Sequence, residues 1–142
     1  MNDINVSPEV LEALQRETFD YFACEANPLN GLVVDKTQAG APASIAAVGL
    51  ALSSYPVGVE HGFITRAQAV QRTLATLRFF HNSVQSTDPD ATGYKGFYYH
   101  FLDMINGKRV GMCELSTIDT AFLLAGMLTA SAYFSGSTAE ER

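Results

Sequence analysis

Between Ile118 and Phe134 the chain carries a single charged side chain, Asp119, and between Ser44 and Tyr55 it carries none. A helix without a charged side has no face to turn to water, so both segments are expected to be enclosed by protein. Two amphipathic segments alternate with them. Ser7-Pro8-Glu9 joins a capping hydroxyl to a proline in the first turn, and Leu11, Leu14, Thr18, Tyr21 and Phe22 follow at helical spacing. Asn27-Pro28 ends that helix. Thr65-Arg66-Ala67-Gln68 reads as a capping box, with Ala67, Val70, Leu74 and Leu77 on one side of the helix it opens. Tyr55-Pro56 is expected to stop the second helix and Gly136 the fourth, with Ser137-Thr138-Ala139-Glu140 capping a fifth.

The alternation predicts an all-α fold of antiparallel helical hairpins in an outer and an inner layer, with one β-hairpin inserted. Long connections, 27–43 and 83–115, both precede the uncharged helices, and the links after those helices are short. All elaborated loops therefore gather at one end, where binding and chemistry are commonly placed.

Composition removes several alternatives. The chain has 142 residues, 47% of them hydrophobic, enough for one core. A net charge of -6 with nine scattered basic residues disfavours nucleic acid, which needs concentrated Lys and Arg. Cys24 and Cys113 stand far apart without a CxxC pattern, so neither zinc nor a disulfide is expected, and both thiols are expected to be buried. No run reaches the ~18 apolar residues of a membrane span, and Met1 to Asn5 lacks the basic start of an export signal. A cytoplasmic location is expected from the sequence as it stands, or a periplasmic one if the natural N-terminus differs.

After Gly93 comes an aromatic run, Tyr94-Lys95-Gly96-Phe97-Tyr98-Tyr99-His100-Phe101-Leu102-Asp103. Asn106-Gly107 is the strongest short hairpin signal in the chain and predicts a type I′ turn. Counting outward from that turn sets Asp103 opposite Val110 and Tyr99 opposite Glu114. Tyr99, Phe101, Asp103, Met112 and Glu114 then share one side of the ribbon, with Tyr98, His100 and Cys113 on the other.

Three motifs in order, Ser44-Ile45-Ala46-Ala47-Val48-Gly49, the Tyr94–Asp103 run and Glu114-Leu115-Ser116-Thr117-Ile118-Asp119-Thr120-Ala121, resemble the glycoamylase-like family. That family includes endo-β-1,2-glucanases and a domain of cyclic β-1,2-glucan synthases. The resemblance implies an (α/α)6 toroid and hydrolysis of β-glucan; the leading reading is inversion by two carboxyls, with retention left open. It also implies that residues 1–142 match the N-terminal third of such a catalytic domain, so the site would be incomplete and the flanks of the second and fourth helices would form an apolar patch. Self-association, or the missing part of the toroid, would cover that patch.

Glycoside hydrolysis needs one carboxyl as acid and another as base or nucleophile. Glu114 and Asp119 are the catalytic candidates. Glu114 sits beside aromatics just before an uncharged helix, or else pairs with Lys108 or Arg109 across the hairpin. Asp119 lies three residues after Ser116 and serves as a capping acid, a sugar contact or both. Asp35 and Asp103 are candidate sugar-hydroxyl partners, Asp35 with a turn-stabilising role as the alternative. Lys95 and His100 are further binding candidates, and His100 has no second His or Cys at ligand spacing, so no metal is expected. Tyr94, Phe97, Tyr98 and Tyr99 offer ring faces for stacking, some of which strand alternation assigns to the hairpin core. No cofactor motif is present. A carbohydrate-binding or helical interaction module without catalysis is the competing reading.

Overall fold

The computed structural model describes residues 7–136 and 138–141 of the chain. Four helices dominate: α1 (Pro8–Cys24), α2 (Ile45–Glu60), α3 (Arg66–Asn82) and α4 (Thr117–Tyr133). Five short strands lie in the connections: β1 (Ala43–Ser44), β2 (Gly93–Tyr94), β3 (Phe97–Tyr99), β4 (Phe101–Leu102) and β5 (Leu115–Ser116).

Local capping explains where the helices begin. Ser7 Oγ accepts the N–H of Val10, and Ser116 Oγ accepts the N–H of Asp119 at 3.2 Å. At α3 the capping box is complete: Gln68 donates to Thr65 Oγ1 at 3.3 Å while its own side chain takes the Thr65 N–H at 3.1 Å. The expected box at Ser137–Glu140 includes Ser137, which lies outside the described residues.

Pro56 does not stop α2. The helix runs through it to Glu60, because Tyr55, Pro56 and Gly58 are all buried and packing outweighs the one backbone bond that proline forgoes. Gly58 is required there: a side chain would meet the Phe19 ring of α1. On α3 the buried positions are Ala69, Val70, Thr73, Thr76 and Phe80, and Ala67 is exposed. The core face is thus rotated from the one that apolar residues alone suggest, since Thr73 and Thr76 turn inward.

α2 and α4 form the central contact. Gly49 has no room for a Cβ against the backbone of Phe122 and Leu123, and Gly126 has none against the carbonyl of Gly49. These small residues let two backbones touch, and Val48, Leu52, Tyr55, Leu123 and Ala130 seal the contact. α4 itself is not enclosed. Only one stripe, Thr120, Leu123, Gly126 and Ala130, is buried, and Ile118 and Leu128 are 64% and 72% exposed. Nothing else among the described residues covers that flank. The first two turns of α1 are likewise open, with Leu11 and Leu14 exposed beside Val57 of α2.

The loops preceding α2 and α4 are sewn together. β1 pairs antiparallel with β4, Ser44 opposite Phe101, and Ile45 N–H donates to the carbonyl of His100 at 3.2 Å. β3 pairs with β5, Tyr98 opposite Ser116. One hairpin therefore docks on the N-termini of both inner helices, which begin at the same end. Asn27 and Asn30 add donations to the Met104 carbonyl at 2.8 and 3.0 Å. Leu32, Val33 and Leu102 from these loops are fully buried, each such leucine contributing about 1.5–3 kcal/mol, so the loops are part of the core rather than an addition to it.

Candidate functional site

The hairpin is built differently from the sequence expectation. Its tight type I′ turn falls at Lys95-Gly96, both with positive φ (51° and 85°), and joins β2 to β3. Asn106-Gly107 instead lies in a wider loop held by Asp103, whose Oδ1 accepts the N–H groups of Ile105 and Asn106, each at 2.9 Å. Leu102 then pairs with Arg109, and Tyr99 pairs with Leu115 rather than Glu114. Two residues separate Tyr99 from Leu102, whereas five separate Arg109 from Leu115. The surplus forms a bulge at 111–113, after Val110 donates to the Phe101 carbonyl at 3.0 Å, and it moves Glu114 to the side of the ribbon that carries His100.

That shift creates the site. His100 Nδ1 lies 2.8 Å from Glu114 Oε1 and 3.6 Å from Asp119 Oδ2. The imidazole stacks on Phe101 with ring centroids 3.9 Å apart, and its backbone N–H donates to the Glu114 carbonyl at 3.0 Å. Glu114 is largely exposed, whereas the Asp119 carboxylate is 15% exposed in the first turn of α4. The Glu114 carboxyl is held below its ordinary range, first by its own backbone N–H and then by hydrogen bonding to His100. An ionised, accessible carboxylate thus stands at the N-terminal end of α4, where the helix dipole also favours negative charge.

One oxygen or nitrogen from each of His100, Glu114 and Asp119 lies within 4.8 Å of the others. The same spacing matters for hydrolysis, because an inverting carboxyl pair is set about 6.5–9.5 Å apart to admit water. Glu114 and Asp119 are closer than that and share one imidazole.

The other candidates divide. Tyr99, expected on the side of Glu114, pairs with Leu115 instead and so lies on the other side of the ribbon, partly buried against the core with the Arg109 guanidinium 4.2 Å from its ring. Tyr98 belongs to the core: it meets Phe80 edge-on at 4.9 Å, and its N–H donates to Thr120 Oγ1 at 3.0 Å. Tyr94 and Lys95 form a cation–π pair at the turn, 5.2 Å from ammonium to ring, and Phe97 is exposed opposite Tyr94. Asp103 is occupied by the loop it caps. Asp35 is exposed in the first loop, its N–H donating to the Pro42 carbonyl at 2.8 Å, and no contact among the described residues links it to His100. Neither expected ion pair of Glu114 forms: Lys108 bonds Asp90 at 2.6 Å, and Arg109 turns to the Cys113 carbonyl. The thiols are not buried as expected. Cys24 ends α1 facing solvent, and Cys113 sits half-buried in the bulge.

Sequence reasoning missed Arg109 as a structural centre. It also assigned His100 to the face opposite Glu114.

The arrangement of helical hairpins with their loops gathered at one end is similar to that of solved glucoamylase-like proteins, the class that the three sequence motifs resemble. The particular relatives bear this out. The chain is 30% identical over 141 aligned residues to the exo β-1,2-glucooligosaccharide sophorohydrolase of Parabacteroides distasonis, covering 94% of this chain and 18% of that protein. The crystal structure of a β-1,2-glucanase from the same organism superposes with a TM-score of 0.82 at 28% identity, over 96% of this chain and 19% of that one. A candidate glucoamylase from Bacteroides uniformis matches with a TM-score of 0.81 at 30% identity, over 98% of this chain and 34% of its own. The chain thus spans about a fifth to a third of the length of these relatives. No family model matches it.

Proposed function

We propose that the chain is the N-terminal portion of a glycoside hydrolase acting on β-linked glucan, β-1,2-glucan foremost, and that it forms the first third of an (α/α)6 toroid. The observation that carries this reading is the His100–Glu114–Asp119 group, set over the N-termini of α2 and α4. Glu114, held ionised, suits the base that takes a proton from water, or the charge that steadies a developing oxocarbenium ion. Asp119 acts with it through His100 as one unit. The carboxyl that protonates the leaving oxygen, on the far side of the sugar, then comes from outside the described residues. The open flanks of α1 and α4 are seats for the rest of the toroid or for another copy of the chain.

Purified chain incubated with β-1,2-glucan, assayed for reducing ends and by calorimetry, tests the proposal. Turnover that disappears in Glu114→Gln supports the enzyme. Because the proposed acid lies outside the described residues, binding without turnover fits the hydrolase portion where Glu114→Gln weakens that binding, and a glucan-binding module where Glu114→Gln leaves it unchanged. Neither binding nor turnover, with the fold intact, would sink both readings.

A further inference from the structure

Between Arg109 and Leu115 the chain makes a bulge whose backbone is bonded to the opposite strand only at its ends, by the Val110 N–H on the Phe101 carbonyl and the His100 N–H on the Glu114 carbonyl, each at 3.0 Å, and the residue at its far end is the ionised carboxylate of the site. Gly111 in the bulge takes a positive φ of 61°, and Met112 at its crest is 86% exposed. Neither of those backbone bonds holds the Cys113 carbonyl within the loop. One long side chain closes it. Arg109, at the start of the bulge, reaches across to the Cys113 carbonyl with Nε at 2.8 Å and with Nη2 as well.

That carbonyl belongs to the peptide unit joining Cys113 to Glu114. A trans peptide is planar, with its C=O and N–H on opposite sides, so fixing the oxygen fixes where the N–H points. The N–H of this unit is the one that does most to keep the Glu114 carboxyl ionised. On its flat face the same guanidinium rests against the Tyr99 ring at 4.2 Å. Tyr99 in turn pairs with Leu115, on the other side of Glu114. Arg109 therefore grips the chain just before Glu114 and the ring of the strand opposite it.

We propose that Arg109 is the positioning residue of the site: its fork on the Cys113 carbonyl orients the Cys113–Glu114 peptide so that the N–H faces the Glu114 carboxylate, and its plane holds Tyr99 alongside. The meaning of this for catalysis rests on the glucan reading above; the positioning itself does not. Lysine keeps the charge but has no planar fork, so it cannot substitute. A group that acted only by charge, or only by holding the loop, would behave differently.

The test follows the Glu114 carboxyl carbon by NMR titration in the unsubstituted chain, Arg109→Lys and Arg109→Gln, with the Glu141 carboxyl, paired with Arg66, as internal control. The Glu114 midpoint is expected to rise in both variants, further in Arg109→Gln, which also loses the nearby charge, with Glu141 unchanged. An unchanged Glu114 midpoint overturns the proposal, as does full restoration by lysine, which would make the effect one of charge. If the variants do not fold, the unsubstituted chain still decides: the Arg109 Nε–H must be slow to exchange with solvent, and fast exchange overturns the clamp. Glucan binding by the unsubstituted chain is measured in parallel. Its absence would remove the glucan reading and leave the titration result standing.

Discussion

The α-carbon of Gly126 rests against the backbone carbonyl of Gly49, with no space between α4 and α2 for even a methyl group. Overpacking of this kind typically costs about 1–3 kcal/mol. Gly126→Ala is expected to lie in the upper part of that range, because backbone rather than a mobile side chain stands in the way. Urea unfolding followed by circular dichroism measures it, and a midpoint equal to that of the parent would refute the close approach.

Thr120 connects the ribbon to the inner helix. Its hydroxyl donates to the Ser116 carbonyl at 2.6 Å and accepts the Tyr98 N–H at 3.0 Å, while the side chain is almost wholly buried. Thr120→Val keeps the shape and removes both bonds, so about 1–3 kcal/mol of stability is expected to go. Amide exchange at Tyr98 should accelerate with it. Protection retained at Tyr98 would show that the N–H has another partner.

Acid should weaken the fold in a defined window. Asp90, Glu114 and Glu141 all titrate lower in the folded chain than their ordinary values, Asp90 and Glu141 first through hydrogen bonds to Lys108 and Arg66, and Glu114 first through its own backbone N–H. A depressed carboxyl contributes stability that is complete above its unfolded value and fades as pH falls through the folded one. The loss is therefore expected to begin near the ordinary value of 4.5 for the two glutamates and to continue below it. Denaturant midpoints measured from pH 7 to pH 3 should fall, less steeply in Glu114→Gln. Equal slopes in the two chains would contradict the assignment for Glu114.

The uncovered flank of α4 should make the chain associate. Ile118, Phe122 and Leu128 are all exposed on a helix without charge after Asp119. Light scattering at rising concentration is expected to show growing mass, and Leu128→Glu to reduce it. A monodisperse monomer at high concentration would count against this.

Helix starts were legible because a cap is a local matter: Ser7, Thr65 and Ser116 each need only the next turn. The grouping of loops at one end was legible too, since it follows from the order of long and short connections. Register was not. Asn106-Gly107 promised a two-residue turn, but Asp103 binds two of the loop N–H groups and widens it, and Arg109 stabilises a bulge that no periodicity encodes. His100 and Glu114 were consequently assigned to opposite faces. The inward turn of Thr73 and Thr76 and the passage of α2 through Pro56 were hidden for a related reason: tertiary packing decided them, against the local preference of the residues.

The bulge at 111–113 also separates the far end of the hairpin from its base. Met104 is tethered to Asn27 and Asn30, while Tyr98 and Tyr99 are tied to the strand that leads into α4. A residue inserted or deleted near the tip would be absorbed by this slack before it displaced the carboxylate. The outer rim can thus change length while the carboxylate beneath it is insulated from the change.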